Sequence, residues 1–329
     1  MQSMNITAQT DLKEYESFIS NYEDKIPYLN STIFKKCTQS NDYFTIGHKQ
    51  DDQIIGIHAF KIIKEKKFTK AILDSRQLGV SCLSPKKAKE YPIILANTLA
   101  RLKSSGVDEV HYKIYHGEDV GIGKSLTSKG FKLNSANCDF VLTLPTQLDD
   151  LIPLFSVSRR NEVRQSLKKD TVVKSLENKA EFIEVFLEIY QKTQSRKNIK
   201  SIGKEELESV LNSMDNRNLV AYIDGVPAAA VLFTLAQKTV YYHYSALDIE
   251  FSKHRPVDRI IYELLVWAMQ NNYRYCNFMS TSLDALSGVY SFKKQWGGET
   301  FINLTYSKPL SFKMKLKEFV RNTLNLFRT

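Results

Sequence analysis

Residues 287–299 read Ser-Gly-Val-Tyr-Ser-Phe-Lys-Lys-Gln-Trp-Gly-Gly-Glu, so that Lys293 follows an aromatic residue, Phe292, shortly before the pair Gly297-Gly298. A lysine in that setting can meet the negative charge that develops on a reacting carbonyl oxygen. Helical spacing puts Gly288 or Val289, Phe292 and Trp296 on one face, with Lys293 at its edge and beside the sharp exit that two glycines permit. The plain alternative is a solvated lysine on a packing helix. A second group of cations lies earlier in the chain. Arg160, Arg164 and Lys168 recur every fourth residue with Arg159 and Lys169 beside them, which gathers positive charge on a helix within 148–169. There the alternative is an ordinary solvated face.

These groups need a framework to hold them, and one order of elements occurs twice along the chain. The first copy has Tyr43 to Gly47, a turn at Gln50-Asp51-Asp52-Gln53 and an apolar strand over 54–60. The second has Leu219 to Ile223, the turn Asp224-Gly225 and a strand over 226–233. Both read as hairpins, and Asp-Gly is a strong turn signal. Each hairpin leads to another strand, a helix and a short strand: 91–104 precedes 107–114, and 258–270 precedes 273–278. A second helix and a strand follow, over 123–129 and 130–133 in the first copy and over 288–296 and 297–301 in the second. This order predicts an α/β protein of two domains, 1–150 and 151–307, each a mixed sheet flanked by helices. Phe182, Val185, Phe186, Ile189 and Tyr190 form the core-facing stripe of a further helix over 180–193.

Composition agrees with a globular chain of that size: 329 residues, 43% hydrophobic and 25% charged. Lysine and arginine number 46 against 36 acidic residues, and the net charge of +10 favours an anionic partner such as phosphate, nucleic acid or acidic lipid. Cys37, Cys82, Cys138 and Cys276 lie far apart without zinc-site spacing, which predicts buried thiols in a reducing compartment. The six histidines make no ligand pair at helical spacing, so no catalytic metal is expected. With neither a secretory segment nor an apolar run long enough to span a bilayer, a cytoplasmic protein is expected. The tail over 308–329 is basic, and Phe312, Leu316, Phe319, Val320, Leu324 and Phe327 fall near one helical face. Such a helix either docks on the protein or lies on an anionic membrane, peripherally and at its inner face.

The order of elements is also that of the GNAT acyltransferase fold, and a tandem pair of such domains resembles the FemABX superfamily. The resemblance is concentrated within 155–305. The basic stretch over 158–169 is similar to the signature that opens the second FemABX domain, and Thr193-Gln194-Ser195-Arg196-Lys197-Asn198-Ile199 to a segment whose arginine helps bind the acceptor. The run 240–246, then Lys253-His254-Arg255-Pro256 and a helix to Asn271, resembles the family's central strand, loop and helix. Phe292-Lys293 with Trp296-Gly297-Gly298 resembles its last motif. The resemblance implies acyl or aminoacyl transfer to an amino group on a peptidoglycan or surface-glycan precursor. Lys293 would stabilise the oxyanion of the tetrahedral intermediate or carry the donor's charge. Tyr244 and Ser245 would orient the acyl carbonyl or the amine. Arg164 and Arg196 would hold phosphate of donor or acceptor, Arg255 would contact the cleft, and Phe292 and Trp296 would shape the pocket.

The chain departs from that pattern at the base. Many relatives read Tyr-Asp-Phe before the last helix, whereas here Tyr275-Cys276-Asn277-Phe278 puts an amide there, able to bind substrate but not to accept a proton. Asp248, His243 and His254 are the alternatives, along with water. No tightly bound cofactor is expected. The donor is either an aminoacyl-tRNA or an acyl-CoA. Ser252-Lys253-His254-Arg255-Pro256-Val257 lacks the glycine of a coenzyme A pyrophosphate turn, and Pro256 removes an amide donor, which favours the tRNA. The partner is accordingly an anionic donor or acceptor: tRNA, or a nucleotide-linked or lipid-linked precursor. A second reading is an acyl-CoA-dependent N-acyltransferase acting on an amino sugar in polysaccharide biosynthesis, and a third a non-catalytic RNA-binding or scaffold protein. The run Glu118 to Ser125 resembles a nucleotide-binding P-loop but has Glu118 where glycine is required, so it is expected to start a helix instead.

Overall fold

The computed structural model describes residues 1–7, 10, 12–23, 31–74, 79–114, 121–197, 202–213, 215–236 and 238–326. Contacts divide the chain into two units, Met1–Asn137 with Ile302–Thr329, and Cys138–Phe301. The first begins with β1 (Gln2–Asn5), α1 (Lys13–Glu23) and α2 (Ser31–Gln39), followed by the hairpin β2 (Tyr43–Gln50) and β3 (Gln53–Lys64). It continues with β4 (Thr69–Asp74), β5 (Gly79–Leu83), α3 (Tyr91–Ser104), β6 (Glu109–Ile114), α4 (Gly121–Ser128) and the start of β7 (Lys132–Thr143). The order across its sheet is β1-β2-β3-β4-β6, with β5 also on β3, and β4 runs parallel to β6. Asp51 (φ 50°) and Asp52 (φ 59°) make the hairpin turn left-handed at both central residues, which matches the twist of the strands they join. Asp224 (φ 50°) and Gly225 (φ 81°) do the same in the second hairpin.

In the second unit β7 is followed by α5 (Val157–Leu167), β8 (Val172–Ser175), α6 (Lys179–Lys197), α7 (Lys204–Ser213), β9 (Asp215–Ile223), β10 (Val226–Ala236) and β11 (Thr239–Leu247). Then come α8 (Pro256–Gln270), β12 (Tyr275–Asn277), β13 (Thr281–Ser282) and α9 (Gly288–Lys294). The sheet order is β7-β12-β11-β10-β9-β8, with β11 and β12 parallel. One face packs on α8 and α9 through Val231, Phe233, Val240, Ile261, Leu265 and Trp296. The other packs on α6 and α7 through Phe182, Phe186, Leu207, Val220 and Leu232. Buried Ala228, Ala229 and Ala230 keep β10 thin enough for helices on both faces.

The units divide at different points from the expected 150 and 307. Leu142 and Thr143 pair with Cys276 and Tyr275 of β12, so the end of β7 belongs to the second sheet. β14 (Glu299–Pro309) starts in the second unit, and its Leu304 to Pro309 pair with β6 of the first. The tail helix α10 (Phe312–Leu326) belongs to the first unit rather than standing apart.

The first unit buries a chain of polar groups. His48 shares its ring nitrogens with Ser3 Oγ (2.9 Å) and Thr98 Oγ1 (3.3 Å), while His58 reaches Thr98 Oγ1 (3.3 Å) and the Tyr112 hydroxyl (3.1 Å). Both rings are fully buried, and burial pushes His48 down to about 4, with Arg101 adding to the shift, and His58 well below its usual value. A histidine with a depressed folded pKa stabilises the fold above the unfolded value of about 6.5 and loses that contribution as pH falls through the window below it. At about pH 5, His48 alone should remove about 2 kcal/mol. A melting series between neutral and mildly acid pH checks this: Tm should fall across the window, and His48→Gln should flatten the slope. A Tm insensitive to pH there rules it out.

Candidate active site

The parallel register of β11 with β12 runs from Thr239 opposite Tyr275 to Tyr241 opposite Asn277, after which β11 continues to Leu247. A cavity of about 610 Å³ opens in this unit where the two strands part. Tyr242 and Ser245 line it from β11, Arg159 and Glu162 from α5, Arg255 and Asp258 from the start of α8, and Phe292 and Lys293 from α9.

Which β11 side chains reach the cavity is decided by a bulge. Phe233 of β10 faces Tyr242 but the next residue back, Leu232, faces Tyr244, so His243 is the extra residue. One inserted residue shifts the alternation of faces. Tyr242, Ser245 and Leu247 therefore share the cavity side, and Tyr244 turns to the other. The Tyr244 hydroxyl donates to Glu206 of α7 at 2.8 Å among the side chains of α6 and α7, and burial first and Glu206 second push its phenol up. This corrects the expectation for Tyr244: Tyr242 takes the place beside Ser245. Tyr242 is buried, its phenol is pushed up to about 12 by burial, and its hydroxyl is hydrogen-bonded to Ser245.

Lys293 is 7% exposed, so the solvated-lysine alternative does not hold. Its ammonium donates to the carbonyls of Met279 (3.2 Å) and Ser280 (3.0 Å). That turn is fixed from beneath. Met279, at φ 61°, donates its N–H to Asn277 Oδ1 (2.7 Å), Asn277 Nδ2 donates to Asp139 (3.0 Å), and the Ser280 hydroxyl donates to the other Asp139 oxygen (2.9 Å). Asn277 is fully buried and spent on these bonds, so it positions the turn under Lys293 and does not line the cavity as a substrate ligand. An aspartate at 277 would set a second carboxylate against Asp139, which explains the amide at this position.

Arg159 stands at the start of α5, where the Ser156 side chain caps the helix by accepting from the Arg159 N–H. Its guanidinium is buried, pairs with Asp258 and with Glu162 (2.8 Å), donates to Gln295 Oε1 (2.9 Å), and lies 4.7 Å over Phe292 and 4.9 Å over Trp296. Burial raises the Asp258 carboxyl while Arg159 opposes the shift. Arg255, left-handed at φ 55°, sits at the mouth with its guanidinium 3.6 Å from Glu162. Phe292 lines the cavity, and Trp296 lies behind it, fully buried and stacked on Phe278. Both glycines that follow are set by close approach: a Cβ on Gly297 (φ 85°) would meet the Leu154 carbonyl oxygen at 1.9 Å, and one on Gly298 would meet Val141 backbone at 2.7 Å.

Other expected residues lie elsewhere. Arg164 is exposed on α5 away from the cavity, and the Arg196 side chain lies outside the described residues. Asp248 is buried in a pair with Lys192 (2.7 Å) and caps the Glu250 N–H, while His243 occupies the bulge and His254 the turn before α8. None of these three lines the cavity. Residues 118–120 of the P-loop-like run lie outside the described residues, and Gly121 opens α4. Among the described residues no group of three His, Cys, Asp or Glu converges as metal ligands would. The N-terminus of α8 suits a pyrophosphate poorly, since Pro256 supplies no N–H and the Asp258 carboxylate already occupies the first turn. Asp139, Arg159, Glu162 and Asp258 were not singled out from the sequence as site residues. Asp139 had a signal, as the lone charge in the apolar run 138–142.

Residues 157–294 match the acetyltransferase (GNAT) domain family. Among solved structures, FemX is 15% identical with a TM-score of 0.67 over 92% of this chain and 97% of its own. A tandem GNAT protein from the clavulanic acid biosynthesis pathway is 9% identical at a TM-score of 0.63, over 94% and 98%. L-PGS from Bacillus licheniformis is 12% identical at a TM-score of 0.53, over 99% of each chain. No curated protein matches the sequence. By its matched domain and by its fold, the chain is an acyltransferase with a FemX-like tandem GNAT fold.

Proposed function

We propose that the chain transfers an aminoacyl group to an amino group on a cell-envelope precursor, with Lys293 stabilising the oxyanion. The observation that carries this reading is a buried ammonium held by two backbone carbonyls in the wall of the cavity at the strand splay. The amine attacks the donor's carbonyl carbon and forms the C–N bond; the carbonyl oxygen takes the negative charge beside the Lys293 ammonium. Collapse of that intermediate breaks the bond to the donor's oxygen, which leaves as an alcohol after protonation. Asp258 and Glu162 are the carboxylates of the cavity, and they can take the amine's proton directly or through water. Burial raises Asp258, which brings it toward the range where proton acceptance is useful.

The crowded N-terminus of α8 and the net charge of +10 support a polyanionic donor such as aminoacyl-tRNA over coenzyme A. Envelope chemistry is supported by the likeness to FemX. The match to an acetyltransferase domain favours a second reading, an acyl-CoA-dependent N-acyltransferase acting on an amino sugar. Parallel reactions decide between them. Purified protein is offered an amine-bearing muropeptide precursor with either aminoacyl-tRNAs or acetyl-CoA, and the product mass is measured. An aminoacyl adduct from tRNA is expected, together with no heat of binding on titration with coenzyme A. An acetylated product, or clear micromolar coenzyme A binding, would move the assignment to the second reading.

A further inference from the structure

The tail helix places its apolar residues on the wrong side for a helix that exists to complete a core. In α10 Met314 is buried against the first unit, yet Phe312 is 81%, Leu316 52%, Phe319 68% and Val320 47% exposed. At helical spacing these four fall within an arc of about 100° on the side opposite Met314. An exposed apolar stripe of this kind, with both large aromatics outward, marks a surface that meets a partner.

The charges around it say which partner. Lys315 borders the stripe on one edge, and Lys313 and Lys317 border it on the other, their ammoniums over the ring of Phe68 at 4.7 and 4.4 Å. Lys313 also donates to the Lys67 carbonyl at 2.6 Å, which brings the exposed Lys66 and Lys67 of the β3–β4 turn beside the helix. Four acids lie near this face and each has partners of its own. Glu318, the one acidic residue of α10, pairs with Lys132 (2.6 Å), Glu65 with Lys70 (2.7 Å) and Glu109 with His111 (3.2 Å), while Asp108, which faces Lys313, accepts from the Thr69 N–H (2.8 Å) and from Ser311. Glu109 also faces Lys317, so the lysines exceed the acids without being free of them. Apolar side chains flanked by lysines on both edges suit a surface that is apolar below and anionic at its face. No helix among the described residues is long and apolar enough to cross a membrane. We propose that α10 and the β3–β4 turn form a docking face for an anionic lipid bilayer, with the four apolar side chains inserted at the headgroup level. This stands independently of which acyl donor the cavity takes.

Sedimentation with vesicles tests it. The full chain should pellet with phosphatidylcholine vesicles containing one-third phosphatidylglycerol and stay in solution with phosphatidylcholine alone. Phe312→Ser with Phe319→Ser should cut partitioning at least about tenfold, and Lys315→Gln or Lys66→Gln roughly fivefold each, while the melting temperature is unchanged because all four side chains are exposed. Failure of the wild type to pellet with the anionic vesicles overturns the proposal, as does equal pelleting by the double serine variant. A wild-type dimer that this variant converts to a monomer would assign the stripe to a second copy of the chain and overturn the bilayer.

Discussion

Lys293→Met is expected to lower kcat by about 10²–10³-fold, the range found when one oxyanion-stabilising donor is removed from an acyl-transfer site. The charge sits in the cavity wall, 7% exposed and fixed to the Met279 and Ser280 carbonyls, so it is oriented before substrate arrives. A group aimed at charge that exists only in the transition state changes kcat far more than KM. Methionine keeps most of the stem and removes the ammonium. The change leaves the Met279 and Ser280 carbonyls without this donor, but the turn keeps its attachments to Asn277 and Asp139, so the fold should survive. Lys293→Arg should recover part of the rate, because the charge returns on a longer and planar group. Single-turnover rates and melting curves measured together separate the possibilities. If kcat is unchanged while Tm falls, Lys293 is a strut for the turn and the oxyanion role is wrong.

Much of this site could be read from residue order, because local patterns control hairpins and amphipathic helices. Asp224-Gly225 turns the second hairpin, α3 spans the expected 91–104, and Phe292 and Lys293 stand on a helix that ends at Lys294, with Trp296 buried in the turn that follows rather than on the helix itself. What failed depends on long-range pairing. Tyr244 and Ser245 are expected together from their place at the end of the central strand, whereas which β11 side chains share the cavity face is decided by the inserted His243, visible only in the register with β10. In the basic helix, every-fourth spacing drew attention to Arg160, Arg164 and Lys168, whereas the buried face of α5 carries Arg159, Val163 and Ser166. Val163 at four residues from Arg159 was the available clue. The division between the two units carries no signal in residue order: it falls at Asn137 and Cys138 inside β7, whose end is placed by its pairing with β12.

The largest stability effect should come from Arg159→Met. The Arg159 side chain is 4% exposed, and its removal leaves Asp258, 9% exposed, and Glu162, 21% exposed, facing the cavity without their shared cation. Breaking a buried pair from one side costs about 3–5 kcal/mol, more than the pair contributes net, because the remaining charge stays desolvated. The pH dependence distinguishes this cause from lost packing against Phe292 and Trp296. Burial already raises Asp258, and Arg159 is the largest influence holding it down. A carboxyl with a raised folded pKa contributes stability that is present below its unfolded pKa and lost as pH rises through the folded one. Without Arg159 that folded value climbs further, so the deficit of the variant should be largest at neutral pH and shrink on acidification, where Asp258 carries a proton. Asp258→Asn in the Arg159→Met background should then recover about 1–3 kcal/mol at neutral pH. Arg159→Lys should rescue poorly, since an ammonium cannot lie flat on two rings while reaching Asp258, Glu162 and Gln295. Denaturant melts at neutral and mildly acid pH read all of these. A deficit that does not change with pH would assign the loss to packing alone, and with it Asp258 would lose its standing as the carboxylate whose charge the cavity is built to manage.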